Sequence, residues 1–427
     1  MKSSGLVWII IFLAASAFID WYVFQGIKTL TARNSRRITK RVIHFGYWGL
    51  TLAFFVGVAA VLIKSGGRFR LLVFLFVFFL FSYLPKLAFA LFLALEDLYR
   101  LGRSVFVFLA HRFTNLKPGS QPEIFESRRK FISQMGLLAA SVPFASILYG
   151  VTEGKYDFRL RRQTLYFEAL PEAFDGFTIT QVSDIHVGSF DDPKPVQKGV
   201  DLIRGQESDL LVFTGDLINN RAVEIDGWMK IFGGLEAPYG KFSITGNHDY
   251  GDYVDWTSLE AKVKNFRDLK TIQKELGFRL LLNENAEIVK GQGGIALLGS
   301  ENWGRPPFRQ YGDLKKSAQG VNARAFKILL SHDPSHWDGE VLNFSERIPL
   351  TLSGHTHGMQ FGIEIPGWKW SPVKYRYPRW AGLYQEGDKF LYVNRGFGFL
   401  GFPGRVGIWP EVTVITLRKG KIPVLPA

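Results

Sequence analysis

The chain has 427 residues, 52 Lys and Arg against 38 Asp and Glu, a formal net charge of +14 and no cysteine. That length admits more than one domain, and the lack of thiols excludes a disulfide framework and any thiolate metal site. The charge is concentrated at the front, where residues 1–150 hold 18 basic and 5 acidic side chains and leave a net of only +1 for residues 151–427; this is not the basic face of a nucleic-acid-binding domain, and no nucleic-acid partner is expected.

Three apolar runs come first, about Gly5–Phe24, Phe45–Ile63 and Leu71–Leu95. Each approaches the roughly 20 residues that a helix needs to cross the hydrocarbon. Residues 1–125 are therefore expected to form an N-terminal membrane region with about three transmembrane helices. In the third run, Pro85-Lys86 predicts a kink or a helix end. Asp20 and Lys86 are read as snorkelling from near helix ends rather than as an ion pathway.

A fourth run, Phe131–Gly150, follows Arg128, Arg129 and Lys130. Residues 126–150 fit two descriptions equally. One is a plain fourth transmembrane helix whose basic residues set topology. The other is a twin-arginine-like signal anchor of the Ser-Arg-Arg-x-Phe pattern, displaced from its usual N-terminal position. Lysines and arginines are dense in two loops, between runs one and two (Lys28, Arg33, Arg36, Arg37, Lys40, Arg41) and between runs three and four (from Arg100 to Lys130). Only Lys2 precedes the first run, and Lys64, Arg68 and Arg70 separate the second from the third. The positive-inside rule then places the two dense loops in the cytoplasm. The expectation is a multi-pass protein of the inner or plasma membrane, with residues 151–427 on the periplasmic or extracellular side.

From about Glu153 the pattern changes to short β-branched and aromatic runs ending in polar clusters: FTITQVSDIH (177–186), DLLVFTGD (209–216), KFSITGNHD (241–249), FKILLSHDP (326–334) and PLTLSGHTHG (349–358). Helical stretches at about Pro195–Arg204 and Ser258–Leu276 separate several of them. Strands alternating with helices indicate an α/β fold, which binds ligands beyond the carboxyl ends of its strands.

Five of the eight histidines, His186, His248, His332, His355 and His357, fall in those clusters beside Asp, Asn or Gly. Carboxylate, amide oxygen and imidazole are ligands for hard and borderline divalent metals. Two such ions roughly 3.5–4 Å apart can share a carboxylate and activate a water. A single His or Asp at a strand end is more often a cap or turn residue. Five such clusters in order, each closing an apolar strand, favour a metal site.

The set Asp184-Ile-His186, Gly215-Asp216, Gly246-Asn247-His248-Asp249, His332 and Gly354-His355-Thr356-His357 resembles the calcineurin-like metallophosphoesterase superfamily. With GHTHGMQ and the later NRGFG, it is similar to the membrane-anchored bacterial YkuE/YaeI-like branch. The resemblance covers residues 177–416. It implies a four-layer α/β/β/α sandwich with two divalent ions, Mn, Fe, Zn or similar. Asp184, His186 and His357 would hold one ion, Asp216 would bridge, and Asn247, His332 and His355 would hold the other. His248 would face the substrate as proton donor or phosphoryl stabiliser, oriented by Asp249, while the ions activate a hydroxide for in-line attack. The family often has Asp three residues after the bridging one. Here that position is Asn219, which puts its local hydrogen bonding in question.

Of the remaining candidates, the resemblance places the segment of Arg395 near the site, where its guanidinium would suit a substrate phosphate. Arg405 fits a substrate contact or a structural ion pair equally. His336, four residues after His332, could support a ligand from behind, but is read as a surface or helix-start histidine. The segment PGWKWSPVKYRYPRWAGLY, 366–384, interleaves Trp and Tyr with Lys and Arg. It suits a membrane interface or an amphiphilic substrate, and equally a rigid loop packed on the sandwich.

The expected function is hydrolysis of a phosphomonoester or phosphodiester, with a phospholipid or lipid-linked compound among the candidate substrates. The alternatives are a UDP-acylsugar pyrophosphate hydrolase of lipid A type and a membrane sensor that binds metal and phosphate without turnover.

Overall fold

A computed structural model describes residues 3–32, 36–63, 68–113 and 123–421. Lys2, Arg33, Lys64 and Lys117, counted in the charge argument, lie outside them. The chain divides into two units, Met1–Tyr149 and Gly150–Ala427.

The first unit contains helices α1 (Ser3–Thr31), α2 (Arg37–Ile63), α3 (Arg68–Phe113) and most of α4 (Glu123–Thr152). All four are long and apolar enough to cross a membrane. Two expectations are corrected here. Helix α3 runs through Pro85 without ending. At 46 residues it is about 70 Å long, well beyond one bilayer. Asp20 and Lys86 do not snorkel. Asp20 is fully buried, and its carboxylate meets Lys86 Nζ at 2.6 Å. The hydroxyls of Tyr83 (2.8 Å), Tyr47 (3.2 Å) and Thr51 (3.2 Å) donate to the same carboxylate. Desolvating an ion is tolerable only when its partner and remaining lone pairs are satisfied, and here they are. Arg128 lies within α4, where its Nε is 3.2 Å from Glu96 and its guanidinium stacks 3.8 Å from the Tyr99 ring centroid.

In the second unit the chain builds strands β1 (Arg159–Phe167), β2 (Thr178–Val182), β3 (Leu210–Phe213), β4 (Lys241–Ser243), β5 (Arg279–Leu280), β6 (Glu284–Lys290), β7 (Gly293–Gly299), β8 (Phe326–Leu330), β9 (Leu350–Ser353), β10 (Ile363–Ile365), β11 (Trp368–Trp370), β12 (Gly382–Glu386), β13 (Lys389–Val393) and β14 (Glu411–Lys419). Helices α5 (Pro193–Arg204), α6 (Met229–Phe232), α7 (Leu259–Glu275), α8 (Leu314–Ser317) and α9 (Ser335–Gly339) lie between them. Asp192 and Ser258 cap α5 and α7, each accepting a main-chain N–H of the first turn.

Twelve strands form two six-stranded sheets, β1-β14-β2-β3-β4-β5 and β12-β13-β9-β8-β7-β6, and β10-β11 form a separate ribbon. The inner faces of both sheets share one core, with Ile179, Val212 and Ile415 from the first and Leu297, Ile328 and Leu352 from the second. The outer face of the first sheet packs Leu211 and Phe213 against Val196, Val200 and Leu269 of α5 and α7. The outer face of the second packs Leu298 and Leu329 against Leu314 and Trp337 of α8 and α9. The result is the expected α/β/β/α sandwich. Strands β2, β3 and β4 run parallel to one another, as do β7, β8, β9 and β13. The polar clusters therefore all follow carboxyl ends of strands.

Candidate metal centre

Each apolar run stops where its last side chains leave the core, and the next residues must turn. Asp184 and His186 follow β2, Asp216 follows β3, Asn247 and His248 follow β4, His332 follows β8, and His355 and His357 follow β9. Five of these adopt the left-handed region that non-glycine residues avoid: Asp184 (φ 51°), His186 (48°), Asp216 (62°), His355 (71°) and His357 (48°). Strained backbone of this kind persists only where the surroundings hold it, and it clusters at functional sites. It also parts His355 from His357, which an ideal strand would send to one face and which here join different groups.

The turns need close main-chain approach. A Cβ on Gly246 would collide with the Asp216 carboxylate, and one on Gly215 would lie 2.5 Å from the Gly246 nitrogen. Glycine at both positions lets the β3 and β4 loops touch.

Asp184, His186 and His357 present ligand atoms to one point, and Asp216, His332 and His355 to another. Asp216 Oδ2 stands 3.1 Å from His332 Nε2 and 3.5 Å from His186 Nε2, so the carboxylate lies between the groups. Asp184 Oδ1 is 3.2 Å from His357 Nε2. Ligands held at about 2.0–2.2 Å by one ion lie roughly 3 Å apart. The buried Nε2 atoms of His186, His332 and His357 nonetheless have no hydrogen-bond partner. Buried polar atoms left so are rare. Nitrogens at ligand–ligand spacing from carboxylates yet bonded to none fit a pair of divalent cations.

Asn247 completes the second group. Its Oδ1 is 2.8 Å from His355 Nδ1, while its Nδ2 donates to the Tyr253 hydroxyl at 2.9 Å. The amide oxygen is thereby turned inward. The far nitrogen of His355, Nε2, meets the Tyr377 hydroxyl at 2.8 Å and stands 3.5 Å from Asp333 Oδ2. An outer partner of this kind fixes a ligand ring's orientation. Tyr253, Asp333 and Tyr377 were not identified from the sequence, since nothing in their local motifs marks them.

The electrostatics keep both carboxylates and two of the imidazoles in ligand-competent protonation, with His332 the exception. Burial pushes His186 down to about 3 and lowers His355. Burial opposes charge on Asp184 and Asp216, but neighbouring imidazoles, His357 and His332 at the first and His332 and His248 at the second, hold both below the usual carboxylate range. Burial likewise opposes charge on His332, and the Asp216 and Asp184 carboxylates outweigh it, pushing His332 up to about 10. A cation held there would take the place of that proton.

His248 borders both groups, its ring centroid 5.0 Å from that of His186. Its main-chain N–H donates to Asp216 Oδ1 at 2.8 Å, and its Nδ1 lies 2.7 Å from the Asn219 carbonyl oxygen. Asp249 was expected to orient this ring, and the structure corrects that. Its carboxylate accepts main-chain N–H groups of Gly246, Asp216 and Leu217, each at 2.9 Å, and so ties the β3 and β4 loops together. Burial and the Asp216 charge push Asp249 up to about 7, against the pull of the Gly246 and Asp216 N–H donors. Asn219 serves His248 through its main chain. Its side chain accepts and donates at Ser189, so an amide there leaves the imidazole contact intact.

Three other expectations change. Arg395 is buried and paired with Glu411 (2.5 Å) and Glu364 (2.7 Å), which leaves it structural rather than turned to a substrate. Arg405 is fully buried, donating to the carbonyls of Gly398 and Gly396 behind His357. His336 does start a helix, as the second residue of α9, but is not on the surface: it is fully buried between Ser331 Oγ (2.7 Å) and Glu340 (2.9 Å).

The profile described as Probable Calcineurin-like phosphoesterase, transmembrane domain, matches residues 4–155, and that of Calcineurin-like phosphoesterase matches residues 177–359. The chain is 32% identical over 301 residues to the uncharacterized metallophosphoesterase YkuE of Bacillus subtilis (strain 168), covering 69% of this chain and 98% of that protein. It is 26% identical over 293 residues to the transmembrane protein with metallophosphoesterase domain of Danio rerio, covering 66% of this chain and 62% of that protein. It is 28% identical over 305 residues to the UDP-2,3-diacylglucosamine pyrophosphatase LpxG of Chlamydia trachomatis serovar D, covering 60% and 88% respectively.

Proposed function

Since the chain belongs to the calcineurin-like metallophosphoesterase family, in a form that carries four apolar helices, we propose that it hydrolyses a phosphomonoester or phosphodiester at a dinuclear site. Asp184, His186 and His357 would hold one ion and Asn247, His332 and His355 the other, with Asp216 available to both. Mn, Fe and Zn suit these oxygen and imidazole donors. When bound, the two ions supply Lewis-acid polarisation of the phosphoryl group and an activated water.

The residues around them do the rest. With Nδ1–H tied to the Asn219 carbonyl, His248 keeps Nε2 as its free edge. A proton carried there passes to the departing oxygen as the ester bond breaks. Asp249 holds the loops of Asp216 and Asn247 at fixed spacing. The observation that carries this reading is the set of buried Nε2 atoms, on His186, His332 and His357, that lack hydrogen-bond partners beside Asp184 and Asp216. The test is turnover of aryl phosphomonoesters and diesters by detergent-solubilised protein with Mn²⁺. Activity lost in Asp216→Asn is expected; wild-type protein that binds metal and turns over neither class would favour a sensor instead.

The proposed orientation puts the sandwich on the periplasmic or extracellular side, supported by the density of Lys and Arg in the first and third loops. Protease added to spheroplasts should then remove residues 151–427, and protection would reverse the assignment. A second reading, cleavage of a UDP-linked acyl-sugar pyrophosphate, is supported by the likeness to LpxG. It is tested by including that substrate class in the same assay.

A further inference from the structure

The residues between His357 and Tyr377 form a hairpin with an inverted face. In a ribbon, alternate side chains point to opposite sides. The register of β10 and β11 pairs Ile363 with Trp370 and Ile365 with Trp368 on one face, and Glu364 with Lys369 on the other. A ribbon lying on a soluble protein turns its apolar side inward. This one turns its charged side inward. Glu364 accepts from Arg161 at 2.9 Å and from Arg395 at 2.7 Å, and Lys369 donates to the Ala381 carbonyl. Its apolar side faces out, with Ile363, Ile365 and Trp368 exposed by 50%, 56% and 51%. Met359 and Tyr375 are exposed nearby, and so are Lys374 and Arg376.

The hairpin is fixed to the candidate metal centre at both ends. Ser371 Oγ donates to the Gly358 carbonyl at 2.7 Å, next to His357, and the Tyr377 hydroxyl meets His355 Nε2 at 2.8 Å. The hairpin and the His355–His357 loop are therefore joined at close range.

Taking the site to be a phosphoesterase, we propose that this hairpin inserts its apolar face into the boundary between headgroups and acyl chains of an anionic bilayer, and that the phosphoester hydrolysed is borne by a membrane lipid. Trp at the interface, isoleucines beside it and flanking Lys374 and Arg376 match that boundary in polarity and charge. The chain itself supplies the tether, since only residues 153–158 separate α4 from β1.

The chain has no cysteine, so a single Ile365→Cys carries one polarity-sensitive fluorophore in the full-length protein. The protein is reconstituted in vesicles of phosphatidylcholine and phosphatidylglycerol, with Val289→Cys on the exposed part of β6 as control. Nitroxide-bearing lipids are expected to quench the label at 365 and spare the one at 289. In unlabelled protein, Ile365→Ser with Trp368→Ser is expected to lower turnover of a phosphoester lipid in vesicles by roughly tenfold and to leave aryl phosphate turnover unchanged. An unquenched label at 365 overturns the proposal. So does energy transfer between labels on separate copies without lipid quenching, which marks a self-association surface, and so does undiminished lipid turnover by the double variant. Wild-type protein inactive on every phosphoester would sink the reading of the site. Quenching needs no turnover, and so still decides whether the hairpin docks.

Discussion

The ring of His248 is held by a main-chain atom: its Nδ1 lies 2.7 Å from the carbonyl oxygen of Asn219. The residue type at 219 is then secondary. His248→Ala should lower kcat by about 10²–10⁴-fold, the usual worth of a positioned proton donor, with metal content unchanged. Asn219→Asp and Asn219→Ala should each stay within roughly tenfold of wild type. Steady-state kinetics with elemental analysis of the same preparations checks both; an Asn219→Ala variant as impaired as His248→Ala would mean that the side chain acts.

Metal removal should destabilise the sandwich. A ligand present at about 100 times its dissociation constant adds roughly 2.7 kcal/mol to stability. Dialysis against a chelator should lower the melting temperature, and Mn²⁺ should restore it. In Asp216→Asn, which weakens both groups, the chelator-induced shift should shrink; an equal shift in wild type and variant would place the metal elsewhere.

Arg395 is expected to matter for stability rather than for substrate. Removing one member of a buried ion pair strands the other, at about 3–5 kcal/mol. Arg395→Met leaves Glu411 without its 2.5 Å partner. Its melting temperature should fall clearly while KM for an aryl phosphate holds. A raised KM with unchanged melting would return Arg395 to the substrate.

The same pair sets an acid limit. Burial alone would raise Glu411, but the Arg395 guanidinium and the Thr413 and Tyr392 hydroxyls hold it below the usual carboxylate range. A carboxylate depressed in the fold stabilises fully above its unfolded pKa, about 4.3, and that contribution is lost as pH falls through the folded value. Melting temperature should therefore decline below about pH 4.5, and less steeply in Glu411→Gln than in wild type. Parallel profiles for the two proteins would remove Glu411 as the cause.

Gly246 tests the closeness of the β3 and β4 loops. Gly246→Ala puts a methyl group against the Asp216 carboxylate. Metal content and turnover should fall together, although no ligand is altered. A fully loaded, active Gly246→Ala protein would show that the loops have room.

The strands and the residues that end them were legible in the sequence because apolar runs closing in Asp, Asn or His report both burial and turning. What could not be read was direction. Asp249 follows His248 in the chain, yet its side chain turns back to the Gly246 and Asp216 amides. Arg395 resembled an anion binder until Glu364 and Glu411, distant in sequence, closed around it. Tyr377 reaches His355 across 22 positions, and no local pattern announces that contact. The third run was read as Leu71–Leu95 with a kink or an end at Pro85, because proline's missing donor weakens a helix locally; the helix carries on through it to Phe113.

The Asp20–Lys86 pair bears on how the protein is made. Asp20 is synthesised and enters the bilayer with α1, while the ammonium that neutralises it is encoded 66 positions later in α3. A lone carboxylate at that depth resists full insertion. Insertion of α1 ahead of α3 therefore carries a cost, about 2.5–3.5 kcal/mol on insertion scales, that the later pairing with Lys86 offsets.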